Sequence, residues 1–215
     1  MKRTRIGRSI MGRPIEAVAL EAAPETVLII AGLHGDEPKS VYVAHRLIDH
    51  LSSHTPKRSV VVVPIANPDG YARRSRRNAA AVDLNRNFPT ADWTSTPKWR
   101  RYYSGPRPAS EPETRALVAL IESRRPAIII TIHSINRHRQ CNNYDGPARH
   151  LARAMSRRNK YPIRASIGYP TPGSLGTWTG VERGICTMTL ELPSHHSPQR
   201  CWTDNRGALS YILGP

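Results

Sequence analysis

Four apolar runs rich in β-branched residues constrain the fold of this chain more than any other feature of its sequence. They occupy residues 27–33, 59–65, 127–133 and 185–192. Each run is continuously apolar and does not alternate with polar residues, which is typical of central strands covered on both faces. Segments with helical spacing lie between the runs. This order predicts an α/β sandwich around a mixed or mostly parallel sheet.

Helices are predicted over residues 38–51, 110–123 and 147–157, with a short C-terminal helix near 205–213. In the second of these, Ser110 and Glu113 form the Ser-x-x-Glu pattern of a capping box. The chain has 215 residues, enough for one domain with a sizeable core and too few to argue for two. We therefore expect a single domain over residues 1–215.

The formal net charge of +16 favours anionic partners, which include nucleic acid, anionic lipid and small substrates with several carboxylates. The basic residues are scattered along the whole chain, and no RNA- or DNA-binding motif accompanies them. A solvated basic surface without a specific partner is an equal alternative. We expect neither a nucleic-acid nor a membrane partner, and the sequence leaves the oligomeric state open.

Cysteine content and apolar run length bear on the compartment. The three cysteines are widely spaced, without a CxxC pair, and we interpret them as reduced thiols. No apolar run approaches the roughly 18 to 20 residues that span a bilayer. Glu16 and Glu21 interrupt the apolar stretch that follows the basic N-terminus, so no signal peptide is expected. These features predict a cytoplasmic protein.

The first chemical cluster is GLHGDE, residues 32–37, at the end of the first predicted strand. His34 and Glu37 are three residues apart on a turn and can face one point. Zinc accepts imidazole nitrogen and carboxylate oxygen, and a catalytic zinc site needs three protein ligands. Taken alone, the pair is better explained by a solvated turn, since charged residues are common in loops. His133 also closes a predicted strand, and sites gather at the carboxyl ends of strands in open α/β sheets. The three positions together favour a metal site over a hydrogen-bonded core histidine.

Two further clusters carry chemistry. In VDLNRNFP, residues 82–89, Arg86 suits bidentate recognition of a carboxylate and Asn85 adds a directed donor. A turn held by Asp and Asn side chains is the alternative. In TLELP, residues 189–193, Glu191 is a carboxylate amid apolar neighbours, which is costly unless it is paired or used. It is a candidate general base for a metal-bound water, the alternative being an edge-strand residue that faces solvent.

Five motifs in this order resemble the zinc carboxypeptidases of the pancreatic carboxypeptidase A type. They are GLHGDE, NPDG (67–70), VDLNRNFP, TIHS (131–134) and TLELP. Residues 6–20 also look like the start of that catalytic domain, so the resemblance covers nearly the whole chain. It implies a three-layer αβα sandwich with a central mixed, mostly parallel sheet and one Zn²⁺ ion.

The resemblance also implies a role for each matching residue. It makes His34, Glu37 and His133 the zinc ligands and Glu191 the catalytic glutamate. It assigns Asn85 and Arg86 to the substrate's terminal carboxylate. It places at Arg76, with Arg77 as the rival, the arginine that polarises the scissile carbonyl. It places at Tyr169 a mobile tyrosine that caps the substrate.

Within that family, the short chain and the PTPGSLGTW segment, residues 170–178, look most like the bacterial murein peptide amidases. The resemblance implies a metallopeptidase that cleaves the γ-D-glutamyl–diaminopimelate bond of murein tripeptides during peptidoglycan recycling. An ordinary C-terminal carboxypeptidase, or a deacylase of the aspartoacylase and succinylglutamate desuccinylase type, would keep the site and change the substrate. A basic nucleic-acid-binding protein is the non-enzyme alternative, which explains the charge but not the ordered motifs.

Overall fold

The computed structural model describes residues 1–136, 139–165 and 168–214. Its centre is one eight-stranded sheet in the order β1-β2-β4-β3-β5-β8-β6-β7. The strands are β1 Lys2–Arg8, β2 Pro14–Leu20, β3 Thr26–Ile30, β4 Ser59–Val63, β5 Ile128–Ile135, β6 Cys141–Asp145, β7 Ile163–Arg164 and β8 Cys186–Pro193. The four central strands β4, β3, β5 and β8 run parallel, whereas β1, β2 and β6 join by antiparallel pairing.

Helices cover both faces of this sheet. They are α1 Pro38–Leu51, α2 Pro68–Arg73, α3 Pro112–Arg124, α4 Arg149–Asn159 and α5 Pro198–Leu213. One core packs α1, α4 and α5 against the sheet, and a second core packs α3 and the aromatic residues Phe88 and Trp178 against the other face. The predicted three-layer αβα sandwich with a mixed, mostly parallel sheet is confirmed. None of the helices in the described ranges combines the length and the apolar character needed to cross a bilayer.

The continuous apolar runs form the central strands as predicted. Every residue of β3 and β4 is buried, because each strand has a neighbour on both sides and a core on both faces. The predicted helices are α1, α3 and α4, and the C-terminal helix is longer than expected, since α5 begins at Pro198. All three cysteines are free thiols.

The capping box predicted at Ser110 is wrong. Helix α3 begins at Pro112, its N-cap residue is Glu111, and no side chain caps it. The hydroxyl of Ser110 instead donates to Glu111 Oε1 at 2.6 Å and accepts from Asn87 Nδ2 at 3.0 Å. A proline at the first helical position has no N–H to cap, which removes part of the need for such a box.

Tight backbone packing joins the turns that follow β3 and β4. The backbone N–H of Asn67 donates to the carbonyl of Gly32 at 2.9 Å, and its side chain reaches the carbonyl of Leu33. A Cβ atom at Gly35 would overlap the backbone of Gly70, so position 35 needs glycine. A Cβ atom at Gly70 would overlap the side chain of Asn67 and the carbonyl of Arg77, so position 70 needs glycine as well. The NPDG motif therefore acts structurally, as a support for the turn that carries His34.

Candidate active site

His34, Glu37 and His133 converge at the carboxyl ends of two neighbouring parallel strands. His34 lies on the turn between β3 and α1, Glu37 is the residue immediately before α1, and His133 lies in β5. Strand β5 is the direct neighbour of β3, which brings the ends together. All three side chains are buried, and one ligand atom of each lies within 4.8 Å of the other two.

The distances within this group suit a small cation. His34 Nδ1 is 2.8 Å from Glu37 Oε1 and 3.0 Å from His133 Nδ1, and His133 Nδ1 is 3.0 Å from Glu37 Oε2. Three atoms bound to a tetrahedral zinc at about 2.0–2.1 Å would be about 3.3 Å apart. The two facing ring nitrogens leave room for one proton or one cation between them. Two imidazoles and one carboxylate are also a donor set typical of catalytic zinc.

Asp83 supports this group from behind, although no sequence pattern singled it out as a catalytic residue. Its Oδ1 is 3.0 Å from His34 Nε2, and its Oδ2 accepts from Arg76 Nε at 2.8 Å. A carboxylate on the outer nitrogen of a ligating histidine fixes the orientation of the ring and increases its basicity. Asp83 is 49 residues from His34 in sequence, so only the fold reveals the pairing.

The charges in the group are strongly coupled. Burial would lower the pKa of His34, but the carboxylates of Glu37 and Asp83 outweigh it and raise that pKa to about 9. Burial would raise the pKa of Glu37, yet the two imidazoles hold the pKa of that carboxyl well below its usual range. Asp83 behaves likewise beside His34 and Arg76. The carboxylates are therefore ionised at neutral pH, as ligation and support of a divalent cation require.

Glu191 lies directly opposite His133 in the sheet. The two residues are register partners between β5 and β8, and β8 is an inner strand with β6 on its other side. The alternative of an edge-strand carboxylate facing solvent is therefore wrong. Glu191 is buried and lines the same cavity as His133. Burial is the main cause that raises its pKa, and His133 only partly opposes it.

Asn85 and Arg86 also line the cavity. They belong to a short 3₁₀ helix, Leu84–Arg86, which the carboxylate of Asp83 caps by accepting from the backbone N–H of Asn85 at 3.0 Å. The amide oxygen of Asn85 accepts from the backbone of Leu175 at 3.0 Å, which fixes the orientation of the amide. Its nitrogen is the remaining donor group of that side chain.

Arg76 and not Arg77 lines the cavity. Its guanidinium is 2.8 Å from Asp83 and 3.7 Å from Glu37, whereas Arg77 donates to the carbonyl of Lys98. Tyr169 lies at the rim, 40% exposed, with its ring stacked on Tyr102 at a centroid distance of 6.3 Å. Sequence reasoning missed Tyr102, whose ring also lies within 5.2 Å of the guanidinium carbons of Arg76 and Arg86.

All eight predicted site residues thus line one cavity of about 290 Å³. Several other arginines and histidines closely follow His133 and Glu191 in the sequence. Arg139 lines the cavity, whereas Arg137 and His138 lie outside the described residues. His196 Nδ1 is 3.2 Å from Asp204 Oδ2, and His196 is not part of the ligand group.

Comparison with known proteins gives a consistent result. The sequence profile of the family described as zinc carboxypeptidase matches residues 1–200. Murein peptide amidase A of Escherichia coli strain K12 is 36% identical over 199 residues, which cover 87% of this chain and 79% of that protein. Murein peptide amidase A of Vibrio campbellii is 34% identical over 203 residues, covering 88% and 79%.

Solved structures extend the likeness to three dimensions. The crystal structure of murein-tripeptide amidase from Escherichia coli O157 matches with a TM-score of 0.82 at 32% identity, over 99% of this chain and 92% of that one. Carboxypeptidase A from Helicoverpa armigera matches with a TM-score of 0.85 at 20% identity, over 98% and 66%. At that identity, the second match is a likeness of fold alone.

Proposed function

The chain belongs to the zinc carboxypeptidase family and is a hydrolase, and from this premise we propose that it cleaves murein peptides at the amide bond next to a terminal carboxylate. The bond we propose joins γ-D-glutamate to diaminopimelate. One observation carries the proposal: a His-Glu-His ligand group, a buried glutamate and an arginine–asparagine pair surround one cavity. Each of these groups would serve a different part of amide hydrolysis.

His34, Glu37 and His133 would hold the zinc ion. Bound there, zinc would supply Lewis-acid chemistry, which lowers the pKa of water to about 7 and polarises a carbonyl. Asp83 keeps His34 in the orientation that ligation needs, through the contact at Nε2.

Glu191 is the proposed general base and then general acid. It removes a proton from the attacking water and delivers that proton to the leaving amine. Its raised pKa suits this exchange, because a proton carrier works best when its pKa lies near the working pH. Its position opposite His133 puts the carboxylate beside the ligand group.

Arg76 is the proposed donor to the oxygen of the scissile carbonyl. As charge develops on that oxygen, a fixed guanidinium in a buried site stabilises it. The ion pair with Asp83 holds Arg76 in place before substrate arrives. Arg86 and Asn85 fix the free carboxylate of the substrate, and Tyr169 closes over it from the rim.

The substrate assignment rests on the relatives named as murein peptide amidases and on the charge of the cavity. Three arginines besides Arg76 line it, and they suit a peptide that carries several carboxylates. We also propose a single catalytic domain over residues 1–215 and a cytoplasmic location. The three unpaired cysteines support a reducing compartment.

Metal analysis combined with turnover tests the proposal. We expect about one zinc per chain and release of diaminopimelate from L-Ala-γ-D-Glu-diaminopimelate, lost on chelation and restored by zinc. Cleavage of ordinary peptides or N-acyl amino acids, with none of the murein tripeptide, would point to the carboxypeptidase or deacylase alternative. Steeply salt-dependent DNA binding by a zinc-free, inactive protein would favour the nucleic-acid alternative.

A further inference from the structure

The ring of Tyr102 faces two arginines of the cavity at once. Its centroid lies 5.2 Å from the guanidinium carbon of Arg76 and 5.1 Å from that of Arg86. The two cations are therefore at most about 10 Å apart, a separation at which like charges repel in a partly dry site. The face of an aromatic ring carries partial negative charge and attracts a guanidinium. The ring of Tyr102 thus offsets part of the repulsion between the two arginines.

Arg86 depends on this ring more than Arg76 does. Arg76 has two carboxylates near it, Asp83 at 2.8 Å and Glu37 at 3.7 Å. Arg86 is 5% exposed, and in the part of the chain that the structure describes it forms no ion pair with a carboxylate. Its Nη1 donates to the carbonyl of Asn85 at 2.6 Å. Since a buried cation without a counter-ion is costly, the aromatic ring is an important neighbour of the Arg86 guanidinium.

The backbone around Tyr102 is tied to the turn that carries Arg86. The backbone N–H of Asp83 donates to the carbonyl of Tyr103 at 2.8 Å, and Thr96 Oγ1 donates to the carbonyl of Tyr102 at 2.9 Å. Asp83 is also the N-cap residue of the 3₁₀ helix that contains Arg86. The ring and the guanidinium are therefore held by the same hydrogen-bonded turn, as preorganisation of a binding group requires.

Tyr169 is the other aromatic neighbour of Tyr102. The two ring planes differ by 24°, and their centroid distance lies within the range of about 4.5–7 Å that favours offset stacking. No described residue forms a hydrogen bond with the hydroxyl of Tyr102, so its contacts with Arg86 and Tyr169 belong to the ring. Tyr102 thus connects a residue proposed to bind the terminal carboxylate with the residue proposed to close over it.

We propose that Tyr102 is a positioning residue for substrate binding. Its ring holds the guanidinium of Arg86 ready for the terminal carboxylate and supports Tyr169 at the rim. This role rests on the proposed function, because Tyr102 acts on the substrate only through those two residues. Arg76 keeps its ion pair with Asp83 when the ring is removed, so loss of the ring should raise KM and leave kcat nearly unchanged.

The test measures kcat and KM of the zinc-loaded enzyme separately, with L-Ala-γ-D-Glu-diaminopimelate as substrate. Tyr102→Leu removes the ring and keeps an apolar side chain. It should raise KM by about 5- to 30-fold, the loss expected for a partly desolvated cation–π contact, with kcat within about threefold of the wild type. Tyr102→Phe keeps the ring and should restore KM to within about threefold of the wild type.

Tyr211→Leu is the matched control. Tyr211 on α5 is 40% exposed, close to the 37% of Tyr102, and its ring centroid lies 3.5 Å from the guanidinium carbon of Arg158. It does not line the cavity. The same substitution at an equivalent tyrosine–arginine contact should therefore keep the wild-type KM.

Inhibition by free diaminopimelate provides a second measurement. This amino acid carries the terminal carboxylate and has no bond to cleave, so its inhibition constant reports binding alone. In Tyr102→Leu that constant should rise by about the same factor as KM. Zinc content should stay near one per chain.

The outcomes separate this role from the proposed function. An unchanged KM in Tyr102→Leu overturns the positioning role and leaves the hydrolase assignment standing. An equal rise of KM in Tyr102→Phe overturns it as well, because the hydroxyl would then be the group that matters. Loss of zinc together with kcat would make Tyr102 a structural residue. A zinc-loaded wild type that does not cleave the tripeptide overturns the proposed function and this role with it.

Discussion

Two buried polar clusters in this molecule differ in the groups that compensate their carboxylates. The first, which we call the catalytic cluster after its proposed role, comprises His34, Glu37, Asp83, His133 and Glu191, with imidazoles and Arg76 as its cations. The Asn78 cluster comprises Asn78, Glu111 and Glu113. There the amide of Asn78 donates to Glu111 at 2.7 Å and to Glu113 at 3.2 Å, and the backbone of Ile10 donates to Glu113.

The difference between the clusters shows which structural features indicate function. Burial raises the pKa of Glu113 and of Glu191 alike, so a raised pKa does not separate a catalytic carboxylate from a structural one. The discriminating features are the cavity and the cations. Glu191 lines a cavity beside a ligand group, whereas Glu111 and Glu113 do not line it. Their hydrogen bonds hold α3 to the loop that carries Asn78.

Replacing Glu191 and, separately, Glu113 with glutamine is the strongest test of this contrast. We expect Glu191→Gln to lose about 10³-fold in kcat, because a general base contributes roughly 10²- to 10⁴-fold, while zinc content stays near one. Glu113→Gln is the matched control and should keep turnover within a fewfold of the wild type. Near-normal kcat in Glu191→Gln would remove this residue from the mechanism.

Removing the amide of Asn78 should act on stability instead. Its Oδ1 also accepts from the backbones of Ala80 and Val82, so Asn78→Ala leaves two buried carboxylates and two backbone donors short of partners. We expect a loss of about 3 kcal/mol in the free energy of unfolding, measured with urea. Zinc binding by the folded fraction should be kept. A loss below about 1 kcal/mol would mean that this cluster does not stabilise the fold.

The sequence predicted the catalytic cluster better than its surroundings, for physical reasons. Continuous apolar runs identify central strands, and His133 and Glu191 follow from their place in those runs. Strand β1 is charged and largely exposed, and β6 is polar, so their pairing depends on neighbours that a local pattern does not reveal. Asp83 and Tyr102 were not predicted as site residues for the same reason, because their partners are distant in sequence.

Asp83→Asn tests the support behind the ligand group. Asparagine keeps the shape and can still accept from His34 Nε2, but it loses the charge that orients His34 and pairs with Arg76. Loss of such an outer partner costs about 10- to 100-fold in zinc affinity. Competition with a chromophoric chelator measures it. Wild-type affinity would show that Asp83 only shapes the 3₁₀ helix.

Asp145→Asn should raise stability, in contrast to Asn78→Ala. Burial raises the pKa of Asp145 to about 6 in the folded chain against about 3.8 unfolded, so the unfolded chain loses this proton more readily. Stability therefore falls as pH rises from about 4 to about 6, and the penalty is complete above that range. The free energy of unfolding of the variant should exceed that of the wild type by on the order of 1–2 kcal/mol at pH 8 and by almost nothing at pH 4. Urea unfolding at both pH values measures it. Destabilisation at pH 8 would make Asp145 a structural residue.

We expect the smallest effect on stability from a substitution in the turn that connects the two clusters. Residues 78–82 lead from Asn78 to Asp83, and Ala81 adopts a left-handed backbone conformation with φ of 66°. That conformation costs a non-glycine residue about 1–2 kcal/mol, whereas glycine adds about 0.5–1 kcal/mol of unfolded-state entropy. Ala81→Gly should therefore raise the free energy of unfolding by less than about 1 kcal/mol and leave zinc affinity unchanged.

Ala80→Gly is the control, at a position without positive φ. It bears only the entropic cost, so its free energy of unfolding should fall by about 0.5–1 kcal/mol. Equal effects of the two substitutions would show that the turn is not strained, and altered zinc affinity in Ala81→Gly would show that it tunes the position of Asp83.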